Sequence, residues 1–151
     1  SSGDTVWVNP GTSSSIKIAK SVTIKAGVTL MLPYGPEETD VNTSFTATST
    51  SKTHGLTLKT KITVSSGVTI TNYGTIQVSG VISGSGGNAK YAGHTRGNCA
   101  QIVLGKNAKI VSKSGSVIKC FGYITESAAN NGSSVTIEDG AQLYQPFVFL
   151  F

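Results

Sequence analysis

The sequence predicts an all-β solenoid, a fold in which short strands wind into stacked coils, and three observations support this prediction. The 151 residues are rich in Gly, Ser, Thr and Val, and only 13% are charged, which is typical of short strands joined by turns. A nine-residue pattern recurs along the chain. Its copies begin at regular intervals, which is the signature of a repeat architecture.

The nine-residue pattern has apolar residues at its first, third, seventh and ninth positions. Its four copies are VTIKAGVTL (22–30), ITVSSGVTI (62–70), IVLGKNAKI (102–110) and VTIEDGAQL (135–143). The sixth position holds Gly27, Gly67, Asn107 and Gly140. Because Gly and Asn best tolerate a positive φ, each unit is predicted to be a strand, a sharp corner and a second strand.

The spacing of the units predicts the size of the coil. The first three begin 40 residues apart and the fourth begins 33 residues later. We interpret each spacing as two coils of roughly 20 residues each. The segments between units are also related, since GTIQVSGVI (74–82) aligns with GSVIKCFGYI (115–124) after one inserted residue. Stacking of the units predicts two inward ladders, namely Ile24, Val64, Leu104 and Ile137, and Val28, Val68, Ala108 and Ala141.

On these residues the chain resembles right-handed parallel β-helix proteins. The similarity is greatest to coils of the form VTIxxGVTLxxxGTIxVxG in bacterial surface and secreted proteins, adhesin stalks and phage tail proteins. It covers most of the chain and implies one single-stranded β-helix domain over residues 1–151. It implies no activity, because this fold carries lyases, hydrolases, adhesins and inert spacers. The alternative fold, a two-sheet β-sandwich, does not explain the regular register.

Two segments depart from the coil pattern and are predicted to be inserted loops, at about 31–55 and 83–99, while residues 1–21 are expected to form a first, capping coil. The first insertion holds Glu37, Glu38 and Asp40. Calcium needs six to eight oxygen ligands in a shaped cage, and this spacing fits no such loop. We therefore expect a solvated acidic turn.

The second insertion, SGSGGNAKYAGHTRGNCA (83–100), is the candidate site. It lacks the Gly-Lys-Ser/Thr ending and the following helix of a phosphate-binding loop. His94 and Cys99 lie five residues apart without an evident orienting partner, which argues against a nucleophilic pair. We expect binding rather than catalysis, with Tyr91, His94 and Arg96 as the contact residues, and no metal or other cofactor.

The two cysteines, Cys99 and Cys120, lie 21 residues apart, about one predicted coil. This separation would bring them onto adjacent turns, where they can form a disulfide in an oxidising compartment. Two separate buried thiols are the alternative, and the sequence does not choose between them.

The C-terminal strand QPFVFLF (145–151) is apolar at every position from Phe147, that is, at Phe147, Val148, Phe149, Leu150 and Phe151. A strand without alternation is usually buried on both faces. We expect it to pack against an adjoining domain or a second copy of the chain. The alternative is that it caps the end of its own core.

Charge and patterning limit the function classes. The net charge of +5 comes from lysines spread along the chain rather than from a basic cluster, so nucleic acid is not an expected partner. No apolar run approaches the ~18 residues that span a membrane. The repeat units form no column of carboxylates such as a glycosidase would need. Binding to ice or another regular crystal surface would need unbroken Thr ranks, which Val103, Lys109 and Gln142 interrupt.

The sequons at Asn42 and Asn131, with the composition, favour an extracellular or cell-surface location. The sequence thus predicts a non-enzymatic structural or adhesive module, either part of a larger surface protein or a self-associating filament subunit. A glycan-binding or glycan-processing β-helix with its site on the long loops is the alternative.

Overall fold

The computed structural model describes residues 3–8, 15–32, 38–41, 47–49, 61–78, 81–83, 90–93 and 100–145. These residues form short strands that alternate with tight corners. Five corners have four residues closed by an N–H···O=C bond from the fourth residue to the first, such as Val28 N to Lys25 O (3.1 Å) and Ala108 N to Gly105 O (3.0 Å). The third residue of each has a positive φ: Gly27, Gly67, Asn107, Gly115 and Gly140. The predicted role of the sixth pattern position is confirmed.

Three all-parallel sheets contain most of the strands. Sheet A consists of β1 (Thr5–Trp7), β4 (Thr29–Leu32), β9 (Thr75–Val78), β14 (Val117–Cys120) and β17 (Gln142–Tyr144). Sheet B consists of β2 (Ser15–Ile18), β7 (Lys61–Val64), β12 (Gln101–Leu104) and β15 (Tyr123–Glu126). Sheet C consists of β3 (Val22–Ile24), β8 (Thr69–Asn72), β13 (Lys109–Ser112) and β16 (Ser134–Ile137).

The chain visits sheets B, C and A in turn, so that each visit to all three makes one coil. The first coil is β2–β3–β4, the second β7–β8–β9, the third β12–β13–β14 and the fourth β15–β16–β17, while β1 precedes the first coil in sheet A. Stacked strands in three parallel sheets are the architecture of a right-handed parallel β-helix. The predicted fold class is confirmed.

Two antiparallel hairpins interrupt the winding. The first pairs β5 (Glu38–Val41) with β6 (Ala47–Ser49), and the second pairs β10 (Val81–Ser83) with β11 (Lys90–Gly93). The structure differs from the predicted insertion boundaries in two ways. Met31 and Leu32 complete strand β4, and Val81 and Ile82 belong to the second hairpin rather than to a coil.

The prediction that 40 residues make two coils is wrong. Gln101 pairs directly with Lys61, 40 positions earlier, so these residues are one coil apart. The spacing includes one coil and an insertion. Where no insertion intervenes, Gln101 pairs with Tyr123, 22 positions later.

The predicted four-residue ladders are wrong, although Val64 and Leu104 of the first one are paired, because the four nine-residue units do not span the same two sheets. The units at 62–70 and 102–110 span sheets B and C, whereas those at 22–30 and 135–143 span sheets C and A. Val64 stacks between Ile18 and Leu104 in sheet B. In sheet C, Ile24 and Ile137 are the ends of a ladder that contains Asn72 and Ser112.

The core fills the space between the three sheets. In sheet B the inner positions form a ladder of isoleucines, Ile16, Ile62, Ile102 and Ile124. The inner ladder of sheet A runs through Val6, Leu30, Ile76, Ile118 and Leu143. Inner residues of the second and third coils are almost fully buried, whereas Ile16, Ile18, Val28 and Leu30 of the first coil are only partly buried. Burial of apolar area in adjacent coils is what stabilises a solenoid.

Candidate binding surface at the hairpin corner

Both insertions leave the β-helix at the same corner. The first lies between β4 and β7 and the second between β9 and β12, so each connects a sheet A strand to the next sheet B strand. The chain needs very few residues for this step, since Phe121 and Gly122 alone join β14 to β15. The two hairpins are therefore additions to the coil at one corner, which we call the hairpin corner.

The two hairpins are neighbours in space, because β6 of the first lies beside β11 of the second. Paired strands of adjacent coils lie about 4.8 Å apart. Segments that leave the same corner of successive coils therefore begin next to each other. The two hairpins thus lie side by side at this corner. Binding residues are often carried by loops that a rigid scaffold positions.

A register shift marks each hairpin. In the second, Val81 pairs with Gly93 but Ile82 pairs with Tyr91, which leaves Ala92 as an extra residue on β11. The first has a similar shift between Glu38 and Asp40. Such bulges increase twist and redirect neighbouring side chains. Strand β11 carries Lys90 and Tyr91, and β5 carries Glu38 and Asp40, so residues of opposite charge lie on neighbouring hairpins.

Several outward residues of the sheets beside the hairpin corner are buried. Met31 and Gln77 are paired in sheet A and lie at outward positions, yet both are buried. On sheet B, Val103, Tyr123 and Thr125 are outward and buried as well. Phe121, at the corner itself, is almost inaccessible. Because outward side chains of a solenoid are ordinarily solvated, buried outward residues distinguish sheets A and B from sheet C.

Gln77 is a buried outward residue with an unsatisfied amide nitrogen. Among the described side chains its Nε2 is buried and has no hydrogen-bond partner. Its register neighbours in sheet A are Met31 and Lys119, and Tyr144 follows Lys119. The sequence did not predict these buried outward residues. A signal was present on sheet B, where the uninterrupted apolar run Ile102–Leu104 departs from alternation and indicates burial on both faces.

Sheet C, away from the hairpin corner, has an outer face open to solvent. Its central outward rank is Thr23, Thr71, Val111 and Thr136, of which Thr23 and Thr136 are exposed. Val111 interrupts the threonines of this rank, and the exposed Lys109 interrupts the neighbouring rank between Thr69 and Ser134.

Few of the predicted site residues lie in the described part of the chain. Tyr91 lies on β11, opposite Ile82. Three others, His94, Arg96 and Cys99, lie outside the described residues, as does the predicted association strand Phe147–Phe151. Cys120 ends β14 and is buried in the core. The binding role, the disulfide and the association strand therefore stay predictions.

Acidic and metal-binding groups are sparse in the described residues. No three His, Cys, Asp or Glu side chains lie close enough there to hold a metal ion. Among the same residues, none forms a helix long and apolar enough to cross a membrane. Comparison with protein-family models, with curated proteins and with solved structures finds no match to this chain.

Proposed function

We propose that the chain is a non-enzymatic extracellular module in which the β-helix is a structural stem and the paired hairpins are its adhesive element. The observation that carries this proposal is the position of the hairpins. They leave one corner of successive coils and lie side by side, next to buried outward residues of sheets A and B. Two adjacent hairpins on a rigid base suit contact with another surface.

The stem half of the proposal is supported by the uniformity of the core. Inner positions of the second and third coils carry mainly Ile, Val and Leu and are almost fully buried. Each coil binds its neighbours through three short parallel ladders. Stability in such a stack is a sum over neighbouring coils, so a stem of this type keeps its shape along its length.

Glycan is the ligand class that we propose for the hairpins. Tyr91 lies on β11 beside Lys90, and the sequence places His94 and Arg96 shortly after it. An aromatic ring offers a flat apolar face with a polar tip, while Arg and His donate hydrogen bonds to hydroxyl or carboxylate oxygens. This set suits a sugar, and an acidic sugar in particular.

The test is binding of the purified chain to a glycan array and to extracellular surfaces. Tyr91→Ala is expected to weaken binding at least about tenfold, because truncation of an aromatic hot-spot residue costs about 2 kcal/mol or more. The matched control is Tyr73→Ala, since Tyr73 is 45% exposed and lies at the corner between sheets C and A. Tyr91→Phe, which keeps the ring, should retain most of the affinity.

Equal losses in Tyr91→Ala and Tyr73→Ala would contradict the hairpin site, as would no binding of the unmodified chain to any glycan or surface. Release of new reducing ends from a bound glycan would favour glycan processing and overturn the non-enzymatic assignment.

A further inference from the structure

The outer face of sheet C carries three ranks of outward side chains that run across all four coils. The central rank of Thr23, Thr71, Val111 and Thr136 has one flanking rank on each side. The flanking ranks are Ser21, Thr69, Lys109 and Ser134 towards sheet B, and Lys25, Tyr73, Lys113 and Glu138 towards sheet A. None of the residues in the three ranks is buried. We call this surface the sheet C face.

The winding of the chain gathers lysines on the sheet C face. The structure describes nine lysines, and five of them lie either in these ranks or at the corner between sheets B and C. The five are Lys20, Lys25, Lys106, Lys109 and Lys113. In the sequence they are spread over positions 20 to 113, but in the fold they share one side of the β-helix. The first three coils, residues 15–32, 61–78 and 101–120, contain no carboxylate.

Acidic groups lie at the two ends of the sheet C face. The fourth coil contains Glu126, Glu138 and Asp139. Lys113 Nζ lies 2.5 Å from Glu138 Oε1, and this hydrogen bond raises the pKa of Lys113. At the other end, Asp4 lies beside the corner that contains Lys25, because Gly3 N donates to Gly27 O. The excess of positive charge is therefore confined to the first three coils.

Long and short side chains alternate from coil to coil on this face. Exposed lysines stand in the first and third coils, whereas the second coil presents the hydroxyl groups of Thr69 and Thr71 between them. The lysines are Lys20 and Lys25 in the first coil and Lys106 and Lys109 in the third. Because paired strands lie about 4.8 Å apart, the two rows of lysines are roughly 10 Å apart. Between them a lane of short side chains follows β8, wide enough for one extended polymer chain.

The groups that line this lane indicate the chemistry of its partner. Charge complementarity requires a polyanion, and the lysine ammonium group is a point charge with three donors that suits phosphate oxygens. Threonine hydroxyls donate to and accept from polyol oxygens. Of the described residues on the sheet C face, only Tyr73 is aromatic, whereas single-stranded nucleic acid is held by successive aromatic platforms. Duplex DNA is read by elements that enter its grooves, which a flat sheet does not do.

We propose that the sheet C face binds a linear polymer of phosphodiester-linked polyol units, such as poly(glycerol phosphate). The polymer lies along β8, with its phosphates beside the two rows of lysines and its hydroxyl groups over Thr69 and Thr71. This surface lies away from the hairpin corner. The inference therefore goes beyond the proposed function and does not depend on binding by the hairpins.

The test is isothermal titration calorimetry of the purified chain with poly(glycerol phosphate) over a range of salt concentrations. We expect binding that weakens as salt rises, because exposed charges are screened. Lys106→Glu with Lys109→Glu should weaken binding at least about tenfold. The matched control is Lys17→Glu with Lys61→Glu, at outward positions of sheet B. It makes the same change in net charge and should weaken binding by no more than about twofold. Circular dichroism checks that all variants are folded.

Single-stranded DNA with the same number of phosphates separates the two kinds of phosphodiester polymer. We expect it to bind more weakly than poly(glycerol phosphate), and Tyr73→Ala should leave binding of poly(glycerol phosphate) unchanged. Tighter binding of the DNA, with a loss in Tyr73→Ala, would contradict the polyol assignment. No binding at low salt, or equal losses in the two double-lysine variants, would overturn the sheet C site. Tyr91→Ala should also leave this binding unchanged, and a loss equal to that of the Lys106 and Lys109 variant would place the polymer on the hairpins instead.

Discussion

Asn72 occupies an inward position of β8, in a ladder that Ile24 and Ile137 complete in the first and last coils. It is fully buried and uses both ends of its amide. Its Nδ2 donates to Ser112 Oγ (3.1 Å) and to the carbonyl oxygen of Val117 (3.1 Å), and its Oδ1 accepts from the N–H of Gly74 (3.1 Å). Ser112 in turn bonds Ser116 through their hydroxyls (2.7 Å). A polar group in an apolar ladder is tolerated because its hydrogen bonds are satisfied.

Replacement of Asn72 by Ala is therefore expected to destabilise the fold by about 1–3 kcal/mol, since it leaves buried donors and acceptors without partners. Urea unfolding measures this change. The control is Thr71→Ala, at the adjacent outward position, for which a change of no more than about 0.5 kcal/mol is expected. Similar effects of the two substitutions would contradict the described network.

The side chain of Asn131, which lies in a sequon, is used for hydrogen bonds within the fold. The sequence presents Asn131-Gly132-Ser133 as an exposed sequon. In the structure, Asn131 Nδ2 donates to Leu104 O (3.0 Å) and Ser127 Oγ (3.2 Å), and Oδ1 accepts from Ser133 N (2.9 Å). A glycan on Nδ2 would disrupt the bonds that hold this corner. The triplet is spaced as a sequon but serves as a structural bridge between coils.

At the scale of elements, the nine-residue unit is a recurring corner rather than a recurring coil. Any two strands joined by a four-residue turn with positive φ at its third residue produce the same pattern. The corner between sheets B and C and the corner between sheets C and A both use it. The sequence therefore predicted the corners and their glycines correctly. It misassigned the ladders because the two kinds of corner look alike.

Gly67 and Gly74 illustrate two different reasons for glycine at a corner, a positive φ and a close approach of the backbone of another coil. Gly67 has a φ of 72° and open space around its Cα, whereas at Gly74 a Cβ would overlap the carbonyl oxygens of Lys25 and Val28 in the coil below. Gly67→Ala is expected to cost about 1–2 kcal/mol from backbone strain, and Gly67→Asn less. Gly74→Ala should cost more than either, because backbone in two stacked coils must move apart.

Thermal and urea unfolding of these variants checks the order. Equal costs at Gly67 and Gly74 would contradict the close approach of the two coils. Asn107, which already occupies the equivalent of Gly67 with a φ of 57°, is the natural precedent for the milder substitution.

At the scale of the whole molecule, alternation and periodicity were sufficient to predict a parallel β-helix. They were insufficient for the number of coils. Insertions of unequal length after β4 and β9 change the spacing between paired strands from 22 positions, as between Gln101 and Tyr123, to 40, as between Lys61 and Gln101. Loop length is weakly constrained by stability, so the spacing of units reports coil size only where no insertion intervenes.

The proximity of the two hairpins follows from this winding and not from any motif. The first hairpin ends at Ser49 and the second begins at Val81, 32 positions later, and neither segment carries a motif that indicates contact with the other. Only the assignment of β4 and β9 to the same sheet shows that both insertions leave one corner. The same assignment shows that Val6 and Leu143 are opposite ends of one ladder. The positions of the hairpins and of the ladder ends thus depend on the register of the coils.

Disulfide trapping across sheet C tests that register most directly. Thr71 and Val111 are paired and face outward on adjacent strands, about 4.8 Å apart and within the range that a disulfide bridges. Thr71→Cys with Val111→Cys is predicted to form an intramolecular bond on mild oxidation, identified by mass spectrometry of the linked peptides. Thr71→Cys with Thr136→Cys, two strands apart, should not. Failure to link 71 to 111, or equal linkage of 71 to 136, would contradict the β-helix with one coil per repeat.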